Sequence, residues 1–275
     1  MHADAVPLQL ESMSPKNPMQ AVRRKRRRTS TAAPKRRKKQ KSSGKWIWIL
    51  GMLVVGGIIT YLGLQDRRPM SPASFRKTVP EGFAAIGIDV SHHQGNIDWE
   101  KLFTESGYDS LIYFVYCKAT EGHTHIDTKW ERNRKALNNL GIPNGAYHFF
   151  QPKDPPRPQA AHFLDHWKKR DIDLPPVLDV ETEGLSDEDL IAKMKIWLTE
   201  IELHSGMRPV IYTSLNFYET KFQDDFKDYK FWIAAYSRKP DCIADERIIH
   251  WQYSESGKLP GCKEKVDINV SKLNF

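Results

Sequence analysis

Residues 176–184 read PVLDVETEG. A proline opens the stretch, a short apolar run alternates with acidic residues, and Gly184 closes it. The run is too short for a helix and is bounded by turn-forming residues, so it reads as a buried strand. Working outward, the same pattern recurs at AAIGIDV (84–90), LIYFVYCKA (111–119), GAYHFF (145–150), PVIYTS (209–214), FWIAAY (231–236), IIHWQY (248–253) and KVDINV (265–270), with PPVLDVE (175–181) as the fourth strand. Helical periodicity falls at 98–106, 127–140, 157–170 and 187–205. Asp127 and Asp187 are the expected N-caps, and Gly141 and Gly206 the expected stops. Strands alternating with helices imply parallel βαβ units. Eight strands over this length predict an irregular (β/α) barrel with fewer helices in its second half. An open doubly wound sheet is the competing architecture, but no G-x-G-x-x-G follows the first strand.

The barrel does not account for the whole chain of 275 residues. Residues 1–45 hold 14 Lys/Arg against Asp4 and Glu11, a net of +12, whereas the remainder carries 28 basic and 32 acidic residues. The overall charge of +8 therefore belongs to a tail that is rich in Ser, Pro and Lys and expected to be disordered. WIWILGMLVVGGIITYLGL (46–64) has no charged residue. As a helix it would rise about 28 Å, matching a hydrocarbon core of ~30 Å. The positive-inside rule then predicts a single-pass membrane protein with a cytoplasmic N-terminus and a periplasmic or extracellular body. Residues 46–64 would contact the lipid bilayer, and the basic tail would contact anionic lipid headgroups. A nucleic-acid role for RRKRRR is the rival reading, and the mildly acidic body does not favour it. Residues 65–82 read as a linker and 83–275 as the barrel domain. Of three cysteines, Cys117 lies in an apolar strand and reads as a buried thiol; Cys242 and Cys262 would pair only in an oxidising compartment.

Four carboxylates fall on strand ends. Residues i and i+2 of a strand share a face, so Asp179 and Glu181 project together with Cα atoms roughly 7 Å apart. Like charges that close raise one pKa, which suits general acid catalysis at a glycosidic bond. Asp89 ends the first strand and Asp267 lies in the last, and barrel enzymes build their sites at that rim. Tyr147, Phe149, Trp232, Tyr236 and Trp251 lie beside them, as expected of rings that stack on sugars. The pairs His92-His93 and His123/His125 lack further ligands at characteristic spacing, so no metal or other cofactor is predicted. Ser91 has no nucleophile elbow. Lys118 and Glu121 read as a structural pair lining the barrel.

GIDVSHHQGNIDW (87–99), KATEG (118–122), DTKWERNRKA (127–136), GAYHFF (145–150), DPPRPQAAHF (154–163), LDVE (178–181) and VDIN (266–269) together resemble the glycoside hydrolase family 25 muramidases. The resemblance spans about residues 84–275. It implies an irregular β/α barrel that cleaves the β-1,4 bond between N-acetylmuramic acid and N-acetylglucosamine in peptidoglycan strands. By motif, Glu181 would be the general acid, and Asp179 would tune it or orient the substrate's 2-acetamido group. Asp89 and Asp267 would complete the acidic cluster. Val270 stands where relatives often carry an aromatic, a departure at one sugar contact. The alternative function is a catalytically weak module that binds peptidoglycan and tethers the membrane to the wall.

Overall fold

The computed structural model describes residues 43–66, 68–105, 107–109, 111–167 and 174–274. Helix α1 runs from Ser43 to Asp66. It does not support the predicted span: among the described residues, no helix is long and apolar enough to cross a membrane. The single-pass localisation inferred from residues 46–64, with its cytoplasmic N-terminus and exported body, is overturned with the span. The basic stretch predicted to meet anionic headgroups falls almost wholly on residues 1–42, outside the described residues.

Residues 57–275 form a separate unit holding the barrel. Part of the stretch read as a linker, residues 65–82, is folded against it. Pro72–Arg76 forms helix α2, capped by the Ser71 side chain, and Phe75 is buried against Tyr108 with ring centroids 5.5 Å apart. The Met70 N–H donates to the Lys258 carbonyl at 2.8 Å, and the Tyr108 hydroxyl donates to the Met70 carbonyl at 2.7 Å.

All eight predicted strands are present: β1 (Ala85–Val90), β2 (Ile112–Glu121), β4 (Asn144–Phe149), β5 (Val177–Val180), β6 (Val210–Ser214), β7 (Lys230–Ala234), β8 (Ile248–Gly257) and β9 (Val266–Ser271). A two-residue strand, β3 (His125–Ile126), pairs antiparallel with the end of β2. The order β1-β9-β8-β7-β6-β5-β4-β2 closes through a parallel β1–β2 pairing. The barrel is mixed rather than all parallel, because β9 runs antiparallel to both β8 and β1. The connection from Gly257 to Val266 is too short for the crossover of a dozen or more residues that a parallel neighbour requires.

Helices α3 (Trp130–Asn139), α4 (Pro156–His166) and α5 (Asp187–Ser205) cover the first half. Between β6 and β9 the connections carry only short helical turns. Helix α5 buries Leu190, Met194, Trp197, Leu198 and Ile201, spaced to form one helical stripe. Its N-cap is Ser186 rather than Asp187, which sits in the first turn beside Glu188 and Asp189, where acidic side chains favour the helix dipole. Gly206 closes it at φ +70°. Asp127 caps no helix; its carboxylate accepts from the Lys129 and His92 backbone N–H groups.

Alternation along the strands divides the interior in two. Ile88, Leu178, Val180, Ile211 and Phe231 face outward to the helices. Phe114, Tyr116, Val177, Val210, Tyr212, Trp232 and Ile249 form a separate cluster inside the barrel. The β2 rings of this plug have room because the strands on either side of β2 present glycine to them. A Cβ on Gly87 would lie 2.3 Å from the Phe114 ring, and one on Gly145 2.3 Å from the Tyr116 ring. Gly145→Ala is therefore expected to destabilise the domain by ~1–3 kcal/mol through overpacking, read as a loss of several degrees in thermal melting; an unchanged Tm would show that Tyr116 yields freely. With its lower half filled by rings, the barrel leaves open space only at the rim.

Candidate active site

That space is a cleft of about 260 Å³. Asp89, Asp179, Glu181 and Asp267 all line it, as do Tyr147, Phe149, Trp232 and Tyr236. Trp251, also expected there, is fully buried in the outer core, where its indole donates to the Ala235 carbonyl at 3.1 Å. Because β9 is antiparallel, Asp267 near its start lies at the same rim as Asp89 near the end of β1; the two are Cα partners in the sheet. On the opposite wall Asp179 is paired with Phe149 on β4 and Tyr212 on β6.

The sequence reading missed the scaffold that holds Asp89. Its Oδ2 accepts from Gln252 Nε2 at 2.9 Å and Asn269 Nδ2 at 2.8 Å. Asn269 Oδ1 accepts from the Trp232 indole at 2.9 Å. Gln252 Oε1 accepts from the hydroxyls of Tyr212 and Tyr236 at 2.9 and 2.7 Å. Five side chains from four strands or their ends thus fix one carboxylate. Trp232 and Tyr236 were expected at the cleft, and Asn269 stands in the VDIN motif, but Tyr212 was not singled out in the sequence. Gln252 carried no signal beyond its aromatic neighbours.

Burial dominates the electrostatics. Asp89 is raised to about 6 by desolvation, against the two amide hydrogen bonds that stabilise its anion. Asp267 is raised to about 8 by burial first, then by the charges of Asp89, Glu255 and Glu181. Asp179 is raised well above the carboxylate range, first by burial and next by Glu181. Only 4 % of Asp179 is exposed, and its Oδ1 has no hydrogen-bond partner. Glu181, one residue beyond β5, is exposed. The strand thus presents an exposed carboxyl beside a buried one whose affinity for its proton is raised by burial and by its neighbour's charge.

His92 and His123 are each engaged by a carboxylate. His92 Nδ1 lies 2.7 Å from Asp127 Oδ2, and His123 Nδ1 2.7 Å from Asp154 Oδ2. Among the described residues, no group of three or more His, Cys, Asp or Glu is arranged to hold a metal ion. His148 faces outward and stacks on Trp197 at 5.4 Å. Cys117, Cys242 and Cys262 are all free thiols.

Residues 88–262 match the family model described as glycosyl hydrolases family 25. The uncharacterized protein YegX of Escherichia coli (strain K12) is 34% identical over 215 residues, 78% of each chain. The autolytic lysozyme of Clostridium acetobutylicum is 31% identical over 185 residues, 66% of this chain and 54% of that one. A family 25 glycosyl hydrolase from Bacillus anthracis superposes with a TM-score of 0.64 at 31% identity, over 71% of this chain and 92% of that one. A closed barrel with an acidic rim, a family match over most of the barrel and relatives above 30% identity lead to one conclusion: the chain belongs to glycosyl hydrolases family 25 and is a glycoside hydrolase.

Proposed function

We propose that this hydrolase is a muramidase that cleaves the β-1,4 bond between N-acetylmuramic acid and N-acetylglucosamine in peptidoglycan. The observation that carries the reading is the carboxyl pair at the end of β5, with Asp179 buried and Glu181 open to the cleft. Glu181 is the general acid: it gives its proton to the glycosidic oxygen as the bond from C1 to that oxygen breaks. The substrate's own 2-acetamido oxygen stabilises C1 as charge develops there, and Asp179 orients that acetamido group. Water then completes hydrolysis and returns a proton to Glu181. Asp89, held by Gln252 and Asn269, and Asp267 add negative potential where positive charge accumulates. Tyr147, Phe149 and Tyr236 supply ring edges and faces to the sugars, while Trp232, buried in the plug, holds Asn269. The lysozyme among its relatives supports the same substrate.

The test is product analysis. Full-length protein is incubated with purified peptidoglycan, the products are reduced with borohydride, and mass spectrometry identifies the reduced sugar. New reduced muramic-acid ends are expected. Reduced glucosamine ends would make the enzyme a glucosaminidase, and wall binding without new ends would make it a glycan-binding module.

A further inference from the structure

Five carboxylates line the cleft: Asp89, Asp179, Glu181, Glu255 and Asp267. Among the described residues lining it, Lys118 is the one lysine or arginine. It is a buried cation, 7 % exposed, on β2. Its Nζ lies 2.6 Å from Glu121 Oε2 and 4.6 Å from the centroid of the Phe149 ring. Glu121 is itself held, its Oε1 accepting from Gln151 Nε2 at 2.8 Å. Phe149 is the sheet partner of Asp179, so the ammonium lies over the residue that flanks the buried member of the carboxyl pair.

A salt bridge made only for stability is an expensive use of a buried site, since desolvation of both charges offsets most of their attraction. Inside a cluster of like charges the same cation has a different use. An ammonium near a carboxyl favours the anion and limits how far burial and neighbouring charge raise its pKa. Asp179 faces Glu181 on its own strand, Lys118, and Asp89 across the barrel, and Lys118 is the only one of these that draws its pKa down. Tyr147 and Tyr212 flank it on β4 and β6, and both stay neutral, their pKa values pushed well up by burial. Lys118 itself faces Glu121 and, in the sheet, Tyr147.

We propose that Lys118 is a positioning residue of the reaction: tethered by Glu121 and laid over Phe149, its charge sets the pH range over which the Asp179–Glu181 pair holds a single proton. This deepens the muramidase reading and rests on it for its link to turnover. Both protons absent leaves no acid; both present removes the anion that assists. The pair titrates as a unit, so the observable is a macroscopic limb of the rate profile.

The experiment is the pH dependence of kcat/KM for full-length protein on peptidoglycan, with Lys118→Met, Lys118→Arg and Glu121→Gln. Loss of the cation in Lys118→Met is expected to move the basic limb up by about one pH unit. Glu121→Gln leaves the cation unneutralised and is expected to move the limb down. Lys118→Arg is expected to stay near the wild type. A purely structural pair would lower all rates and leave the limbs in place, or move both variants the same way; either result overturns the proposal. In parallel, the carboxyl carbon of Asp179 is titrated by ¹³C NMR in the same proteins, a readout that needs no turnover. If no protein cleaves glycan at any pH, the muramidase reading fails, and the Asp179 midpoint alone decides Lys118. An upward midpoint in Lys118→Met, or a downward one in Glu121→Gln should the first variant not fold, supports the proposal. An unchanged midpoint overturns it.

Discussion

Glu181→Gln is expected to lower kcat on peptidoglycan by about 10²–10⁴-fold, the range attributed to a positioned general acid. Glutamine has the same shape and offers hydrogen bonds but no dissociable proton, so the leaving sugar must depart as an alkoxide. Because Glu181 is exposed and lies just outside β5, substitution there should change stability by no more than ~0.5 kcal/mol. Substrate binding should survive, so the loss appears in kcat while KM moves little, the pattern of an interaction made only in the transition state. Equal rates for the variant and the wild type would remove Glu181 from the acid role and turn attention to Asp179, whose carboxyl holds its proton to higher pH.

The second large effect is on stability. An aspartate whose folded pKa is raised binds a proton in the native state that the unfolded chain has already released, so stability falls as pH rises between the two values. For Asp89 that interval runs from 3.8 to about 6, and for Asp267 from 3.8 to about 8. Two buried histidines act oppositely at the acid end. His148 and His250 are lowered from 6.5 to about 3 by burial, so stability is lost as pH falls below 6.5. The opposing slopes largely cancel between about pH 4 and 6. Above 6.5 the histidines contribute no slope and Asp267 continues to lose its proton, which amounts to roughly 2 kcal/mol by pH 8 at ~1.4 kcal/mol per pH unit. Thermal melting is therefore expected to show a plateau near pH 5–6 and a fall of roughly 4–8 °C by pH 8. Asp267→Asn should reduce that fall and leave the part carried by Asp179, whose pKa burial also raises. A Tm that rises steadily to pH 8 would show that Asp267 is ionised at little cost in the folded protein.

Much of this was legible in the sequence because alternation with period two is a direct record of which face a strand buries. Val177 and Asp179 point one way, Leu178 and Val180 the other, and the chain says so without a structure. The eight strands and the boundaries of α5 followed from such patterns and from flanking glycine, proline and serine. The direction of β9 did not, since an antiparallel strand carries the same pattern as a parallel one and only the length of its connection distinguishes them. Trp251 was misplaced because the irregular β8, with shifted pairing between Phe231 and Trp232, leaves the inward face hard to count. Gln252 was passed over because an amide that holds a carboxylate looks, in sequence, like any other polar residue. The span over 46–64 was inferred from an uncharged run of suitable length after a basic stretch; among the described residues no helix is long and apolar enough to cross a membrane.

Of the eight barrel strands, β9 is the last to leave the ribosome, yet it stands between β1 and β8 and brings both Asp267 and Asn269. The hydrogen bond from Asn269 to Asp89 joins residues 180 positions apart. Closing so long a loop is a late and slow event compared with forming the helices. Until β9 inserts, the growing polypeptide has an open-sided sheet, Asp89 lacks one of its two donors, and the acidic rim is missing a wall. Assembly of the cleft is therefore tied to the order of synthesis.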